Sequence, residues 1–239
     1  MPLPPQAQLR RYRVTENHPI ADGSFRLLLE PAAEPIPAHK SGQWVSLHLL
    51  NPDGSVWAKA AYSIANAPPV AGPIELGIKV AGDFTKRALS LKTGDEVLLQ
   101  GPWGVFVLPT SQPRLIMFAG GIGITPLLSM IREACATLPS DILLFYSSRT
   151  CRETAYLDEL RSLEDSCPRF RLVEIYTREV HPVAGKETGR IDVAMLDRYL
   201  TDYMVGEYLM CGPKDFMDNI KQLLQNKGVE VKKIRHELF

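Results

Sequence analysis

The sequence predicts two architectures in series, an N-terminal antiparallel β-barrel and a C-terminal α/β layer built on a parallel sheet. Three features predict them. From Tyr12 to about Val107, short apolar runs are broken by Gly, Pro, Asn and Asp, the pattern of a small antiparallel barrel or sandwich. Beyond Pro113, continuous apolar runs alternate with helical periods, the pattern of a parallel sheet covered on both faces. Between the first such run and the first such helix lies a glycine-rich turn, Gly120-Gly121-Ile122-Gly123-Ile124-Thr125-Pro126.

In order along the chain, the first part has strands expected at residues 25–29, 44–50, 74–80 and 96–99. One helix is expected at 85–91, opening on a polar cap and closing before Gly94. Leu108 to Pro113 reads as a linker, so the expected domains are residues 1–109 and 110–239. A chain of 239 residues suits two cores of about 100 to 130 residues better than one. The second part then reads as strand 115–119, helix 126–136, strand 142–146, helix 155–163, strand 172–176 and helix 193–199. Strand 208–210, helix 215–226 and a last strand at 231–234 complete it.

Hydrophobic content of 45% and charged content of 23% are globular values, and 27 basic residues balance 27 acidic ones. That balance argues against nucleic acid or an anionic membrane as partner. Cys135, Cys151, Cys167 and Cys211 lack the short spacings that hold zinc or an iron–sulfur cluster, so no metal is expected and the thiols read as reduced. Met1-Pro2-Leu3-Pro4-Pro5 has no apolar signal core, and no stretch reaches the roughly 18 apolar residues of a membrane span. A cytoplasmic location is expected.

The glycine turn draws meaning from its position. It follows a buried strand and opens a helix, where unpaired N–H groups and the helix dipole favour a phosphate. Gly120, Gly121 and Gly123 allow close backbone approach, Thr125 is placed to cap the helix, and Pro126 suits its first turn. A tight turn whose glycines serve packing alone is the competing reading. Cys211-Gly212-Pro213 repeats the strand–turn–helix arrangement, and two such turns on one sheet edge make a cleft. By itself Cys211 reads as an inert buried thiol.

Taken together, these motifs resemble the ferredoxin–NADP reductase superfamily, in which a flavin-binding barrel precedes a nicotinamide-binding α/β domain. The resemblance rests on Tyr62-Ser63, Gly82-Asp83-Phe84-Thr85, Gly101-Pro102, the 120–126 turn, Cys211-Gly212-Pro213 and the ending Glu237-Leu238-Phe239. It implies that Tyr62 packs on the isoalloxazine of FAD, or of FMN, with the Ser63 hydroxyl at its reactive edge and Cys211 beside the nicotinamide. It further implies that Gly82, Phe84 and Thr85 serve the flavin phosphate, that Ile64 and Lys79 join the cofactor-binding set, and that Gly212 and Pro213 border the nicotinamide. Glu237 handles protons by the same resemblance, and Phe239 covers the flavin ring. One position departs from the family: two residues before the Tyr, where an Arg usually contacts the flavin phosphate, stands Ala60. Lys59, Lys86 and Arg87 are the nearby bases.

The second parallel strand ends Ser147-Ser148-Arg149 with no acid to hold a ribose hydroxyl, and Arg152 follows, which favours NADP over NAD. Pairing of these arginines with Glu153 or Asp158 is the alternative. Thr177 and Arg178 border the adenosine site by resemblance. The expected activity is that of a flavoprotein reductase carrying electrons from NAD(P)H through FAD to a separate ferredoxin, flavodoxin or oxygenase component. A free-flavin or quinone reductase, kept open by Ala60, and a flavin-binding relay subunit are the alternatives.

Overall fold

The computed structural model describes residues 3–68, 72–181 and 183–238. Its first sheet comprises β1 (Arg10–Ala21), β2 (Ser24–Pro31), β3 (Trp44–Leu50), β4 (Val56–Ser63), β5 (Ile74–Lys79) and β6 (Glu96–Trp103), with helix α1 (Asp83–Leu89) between the last two. The strand order is β4-β3-β6-β1-β2-β5, every pairing antiparallel. Ile64, one residue past β4, bridges to Leu76 of β5, so the two edges meet and the sheet closes as a barrel. Alternation explains its filling: Phe25, Leu27 and Leu29 of β2 point inward and meet Val45, Leu47 and Leu49 of β3 in one core.

The second sheet comprises β7 (Arg114–Gly120), β8 (Asp141–Ser148), β9 (Phe170–Tyr176), β10 (Glu187–Thr188), β11 (Glu207–Cys211) and β12 (Ile234–Glu237). Its order is β10-β9-β8-β7-β11-β12, every pairing parallel. Helices α2 (Ile124–Thr137) and α3 (Leu157–Ser166) pack on one face, and α4 (Val193–Tyr199) and α5 (Lys214–Asn226) on the other. Coverage on both faces explains why Leu115 to Ala119 and Ile142 to Tyr146 are unbroken apolar runs. Helix α2 is unusual, since every residue from Ile124 to Ile131 is buried. One side lies on the sheet and the other on the barrel.

Strands β4 and β10 were not isolated in the sequence reading, the ends of α2, α3 and β9 lie one to three residues from their expected places, and three further differences have a clear physical cause. Strand β1 was not isolated because Tyr12 and Val14 alternate with charged residues and Pro19 interrupts the run. Helix α1 starts at Asp83 rather than at 85, since the Thr85 hydroxyl folds back on the turn before it. Residues 231–233 form a single 3-10 turn, and the last strand runs from Ile234 to Glu237, pairing through its backbone with Tyr208 to Cys211. An edge strand held by main-chain bonds needs no apolar run.

On β9, Glu174 is 3% exposed and binds Arg161 of α3 at 3.0 and 2.8 Å, Lys186 at 2.6 Å and the Tyr176 hydroxyl. Burial alone would raise its pKa, but these hydrogen bonds outweigh burial and hold the carboxyl at about 2. A depressed pKa means that the stabilisation is complete above the ordinary value near 4.5 and is lost as pH falls toward 2. Melting temperature followed from pH 6 to 2 should therefore fall steeply below about 4.5. Glu174→Gln should lower stability at pH 7 by about 2 kcal/mol, the scale of charge-assisted hydrogen bonds, and flatten that fall.

Candidate functional site

Strand order reverses between β7 and β11, and both glycine turns leave the carboxyl ends of these adjacent strands. After β7 the chain makes a 3-10 turn, Gly121–Gly123, and enters α2 with Gly123 as the N-cap. Thr125 is therefore not the cap. It is the second helical residue, and its hydroxyl donates to the Ile122 carbonyl at 3.1 Å. The glycines divide into two kinds. A Cβ on Gly123 would lie 2.3 Å from the Cys211 carbonyl oxygen, one on Gly120 would lie 2.9 Å from Pro213, and one on Gly212 would lie 2.9 Å from the Gly120 Cα. These three let the two turns interlock. Gly121, at φ +54°, has nothing within 4 Å of the same point, so its backbone is the open edge to which a phosphate has access.

Beside this edge is a cleft of about 300 Å³. Gly120, Gly121, Ser148, Arg149, Thr177 and Pro213 line it, as does Lys79 from the end of β5. Arg178 does not; its side chain is exposed outside the cleft, and its N–H binds the Arg149 carbonyl at 2.8 Å. Arg190, Phe216 and Asn219 also line the cleft and were missed in the sequence. The overlooked signal was Gly189-Arg190 in the turn from the two-residue β10 to the Asp192 cap of α4. Among the described residues, Arg149, Arg152 and Arg190 form no ion pair, while Glu153 approaches Lys79 at 3.9 Å. The Ser148 hydroxyl is buried without a hydrogen-bond partner.

On the barrel side, Tyr62 is half-buried near the end of β4, and burial raises its phenol to about 12, so it stays neutral. Phe84 lies between Tyr62 and Trp57, with centroids 6.1 and 6.2 Å away and rings tilted by 25° and 17°. Trp57 is a member of this ladder that the sequence did not single out. Ser63 is 2% exposed with its hydroxyl unpartnered. Ile64 lies wholly in the barrel core, and its N–H binds the Gln43 carbonyl, so its side chain is closed to a cofactor. The Thr85 hydroxyl accepts from the N–H groups of Ala81 and Gly82 and donates to the Gly82 carbonyl, which commits it to the turn. Arg87 stacks over Trp57 at 4.6 Å and donates to the Leu50 carbonyl at 2.7 Å. Ala60 faces Leu47 across β3, and no hydrogen bond or ion pair engages Lys59 or Lys86 among the described side chains.

Cys211 and Glu237 are register partners on β11 and β12, and the Cys211 thiol donates to the Glu237 carbonyl at 3.5 Å. Burial first, and then the Glu237 charge, push the thiol far above its ordinary pKa, so it is neutral at pH 7. Burial also pushes the Glu237 carboxyl up to about 7, and its Oε2 is buried without a partner. A Cβ on Gly104 would fall between the Trp44 ring, 3.0 Å away, and Glu237 Oε1, 3.6 Å away. Trp44 is in turn the register partner of Ser63. Ser63, Cys211 and Glu237 thus border one corner, where the barrel meets the end of the parallel sheet. Phe239 lies outside the described residues. Among the described residues, no cluster of His, Cys, Asp or Glu could hold a metal and no helix is long and apolar enough to cross a membrane.

Residues 117–222 match the family model of the oxidoreductase NAD-binding domain. The chain is 31% identical over 208 residues to the glycine betaine monooxygenase reductase subunit of Chromohalobacter salexigens, covering 84% of this chain and 56% of that protein. Among solved structures, the Amycolatopsis cytochrome P450 reductase GcoB superposes with a TM-score of 0.84 at 26% identity, over 98% of this chain and 71% of that one. The chain belongs to the ferredoxin–NADP reductase superfamily. Another superfamily fold, the flavohem-like FAD/NAD binding domain of nitric oxide dioxygenase from Vibrio cholerae O1 biovar El Tor, superposes with a TM-score of 0.86 at 19% identity, covering 96% of this chain and 98% of that one. The chain spans about half the length of the curated relatives it matches.

The two kinds of glycine should separate in experiment. Gly123→Ala should destabilise the protein by several kcal/mol, because the clash at 2.3 Å is with main chain. Gly121→Ala should cost only about 1 kcal/mol for its left-handed backbone, yet weaken binding of a nicotinamide dinucleotide at least tenfold. Thermal melts and nucleotide titration of both variants measure the contrast.

Proposed function

We propose that this superfamily member is an NAD(P)H-dependent flavoprotein reductase that prefers NADPH, holds FAD on its barrel, and passes electrons to a separate ferredoxin, flavodoxin or oxygenase component. The observation that carries the reading is the shared corner. Two buried polar groups without partners, Ser63 Oγ and Glu237 Oε2, belong to residues that both border Trp44 where the barrel meets the end of the parallel sheet, and such groups call for a polar ligand. A flavin there would supply the exchange between two-electron nicotinamide chemistry and one-electron acceptors. Tyr62 offers a neutral aromatic face, and Ser63 a hydroxyl free to donate. Gly121 leaves room for a pyrophosphate, and Arg149 and Arg190, both exposed and unpaired among the described residues, fit a ribose 2′-phosphate. Cys211, neutral and buried, acts by shape and polarizability rather than as a base. Glu237, titrating near 7, can hold or release a proton at the corner. The relatives named as a glycine betaine monooxygenase reductase subunit and a cytochrome P450 reductase support an acceptor of the oxygenase type.

Ala60, together with the engagement of Arg87 by Trp57 and Leu50, favours a second reading in which weakly held flavin is itself the substrate. Retention of flavin through dialysis supports the first reading, and its complete loss supports the second. Anaerobic stopped-flow with flavin-loaded protein should show NADPH bleaching the flavin at least tenfold more efficiently than NADH. Failure of both nucleotides to bleach it would overturn the reductase assignment. Arg149→Ala with Arg190→Ala should erase the preference by weakening NADPH and leaving NADH within about threefold, a loss of 1.4 kcal/mol or more. Ser63→Ala should slow flavin reduction far more than it weakens nucleotide binding. With a quinone acceptor, turnover should decline as pH rises through about 7, where Glu237 loses its proton, and Glu237→Gln should remove that limb.

A further inference from the structure

We propose that α2 sets the spacing between the bound nicotinamide and the flavin, with Arg132 as the positioning residue that fixes it. This rests on the reductase reading above. Helix α2 begins at the glycine turn and runs along the barrel, and Arg132 lies nine residues beyond Gly123, about 13 Å along the helix axis. Thr125, Ser129 and Arg132 follow one another at the helical spacing that places them on a common face, and each meets the barrel. The Thr125 methyl packs where Gly77 of β5 has no side chain; a Cβ there would be 2.6 Å away. The Ser129 hydroxyl donates to the Asn66 carbonyl at 2.8 Å, and the Ser41 hydroxyl donates to the Ser129 carbonyl at 3.0 Å.

Arg132 closes the stripe. Its Nη1 donates to the Ala65 carbonyl at 2.8 Å and to Glu75 Oε2 at 3.1 Å, while Nε and Nη2 grip Glu159 of α3 at 2.6 and 2.8 Å. Burial opposes the charge, but the bonds to Glu159 and Glu75 raise its pKa further, so the guanidinium is always charged. Glu75 is 4% exposed and has one other cation near it, Arg26 at 3.5 Å. Ala65 and Asn66, the two carbonyls that α2 holds, immediately follow Tyr62-Ser63-Ile64. One rigid helix therefore carries the nucleotide turn at its start and grips, along its flank, the chain that leaves the flavin-facing residues. A planar fork with several donors can bind a carbonyl and two carboxylates at once, whereas a lysine cannot. A change of about 1 Å in a reacting distance costs on the order of 100-fold in rate.

The test compares wild type, Arg132→Lys, Arg132→Met and Ser129→Ala, each loaded with FAD, by anaerobic stopped-flow with NADPH. The readouts are the limiting rate of flavin reduction, the nicotinamide–flavin charge-transfer absorbance, NADP⁺ affinity, flavin content, and hydrogen exchange of residues 64–66 and 125–132 without nucleotide. Arg132→Met should slow reduction at least tenfold, weaken the charge-transfer band and speed exchange at both segments, with nucleotide affinity and flavin content within twofold. Arg132→Lys should recover part of the rate. Should Arg132→Met fail to fold, Ser129→Ala, which removes a hydrogen bond and no charge, should still slow reduction about threefold. Unchanged rate and band in the folded variants would overturn the proposal, as would a slowing matched by equal loss of flavin or nucleotide affinity. If neither nucleotide reduces wild-type flavin, the reductase reading fails and this proposal falls with it.

Discussion

The arrangement depends on a contact that only glycine permits, the approach of Gly123 to the carbonyl of Cys211. Because no side chain intervenes, the turn after β7 and the turn after β11 interlock at the point where strand order reverses. That contact decides where α2 leaves the sheet, and α2 then lies between sheet and barrel with both sides covered. The same packing leaves Gly121 as the one glycine of the turn with open space beside it. The packing role of such glycines and their phosphate-binding role are therefore not alternatives. On the proposed reading, different glycines in one turn carry them.

The seam between barrel and sheet is built differently from the cores on either side. Apolar faces gain free energy from area and tolerate sliding, because burial has little directional preference. The bonds of Ser129, Ser41 and Arg132 exist in one register only. Buried charge is costly unless paired, and Glu75 is compensated only while Arg132 and Arg26 stay beside it. Any shift between barrel and sheet would leave that carboxylate poorly paired, which resists displacement more sharply than an apolar contact of similar size.

Much of this was legible in the sequence, and the failures have physical causes. Continuous apolar runs identified the central parallel strands because both faces are covered, and the helical period at 193–199 matches α4, which the structure caps with Asp192. Strand β12 was misplaced because edge pairing through main-chain bonds leaves no hydrophobic signature in Arg235 and His236. Both glycine turns were visible, but that Gly123 is closed by Cys211 while Gly121 has open space beside it depends on the neighbouring strand, so no local pattern carries it. Arg190 was missed because β10 is too short to announce a turn. The seam was invisible for a related reason: Arg132 and Glu75 are 57 residues apart, and an isolated Arg on a helix reads as solvated.

The departure at Ala60 has structural company. Where the family pattern leads one to expect a cation beside Tyr62, this barrel carries the ladder Trp57, Phe84, Tyr62, with Arg87 laid over its outer end. Arg87 cannot replace the missing Arg without giving up both Trp57 and the Leu50 carbonyl. The Thr85 hydroxyl is likewise committed to the turn at Gly82. On the proposed reading, the flavin would be held more by aromatic and apolar contact than by charge on its phosphates. Contact of that kind scales with area and is little weakened by salt, whereas phosphate pairing is screened. The grip on flavin and the grip on nucleotide would then respond differently to ionic strength, because the nucleotide cleft has Arg149 and Arg190 while the flavin side, with Ala60 in place of the Arg, has an aromatic ladder flanked by Lys59 and Lys86 alone as unengaged bases among the described residues.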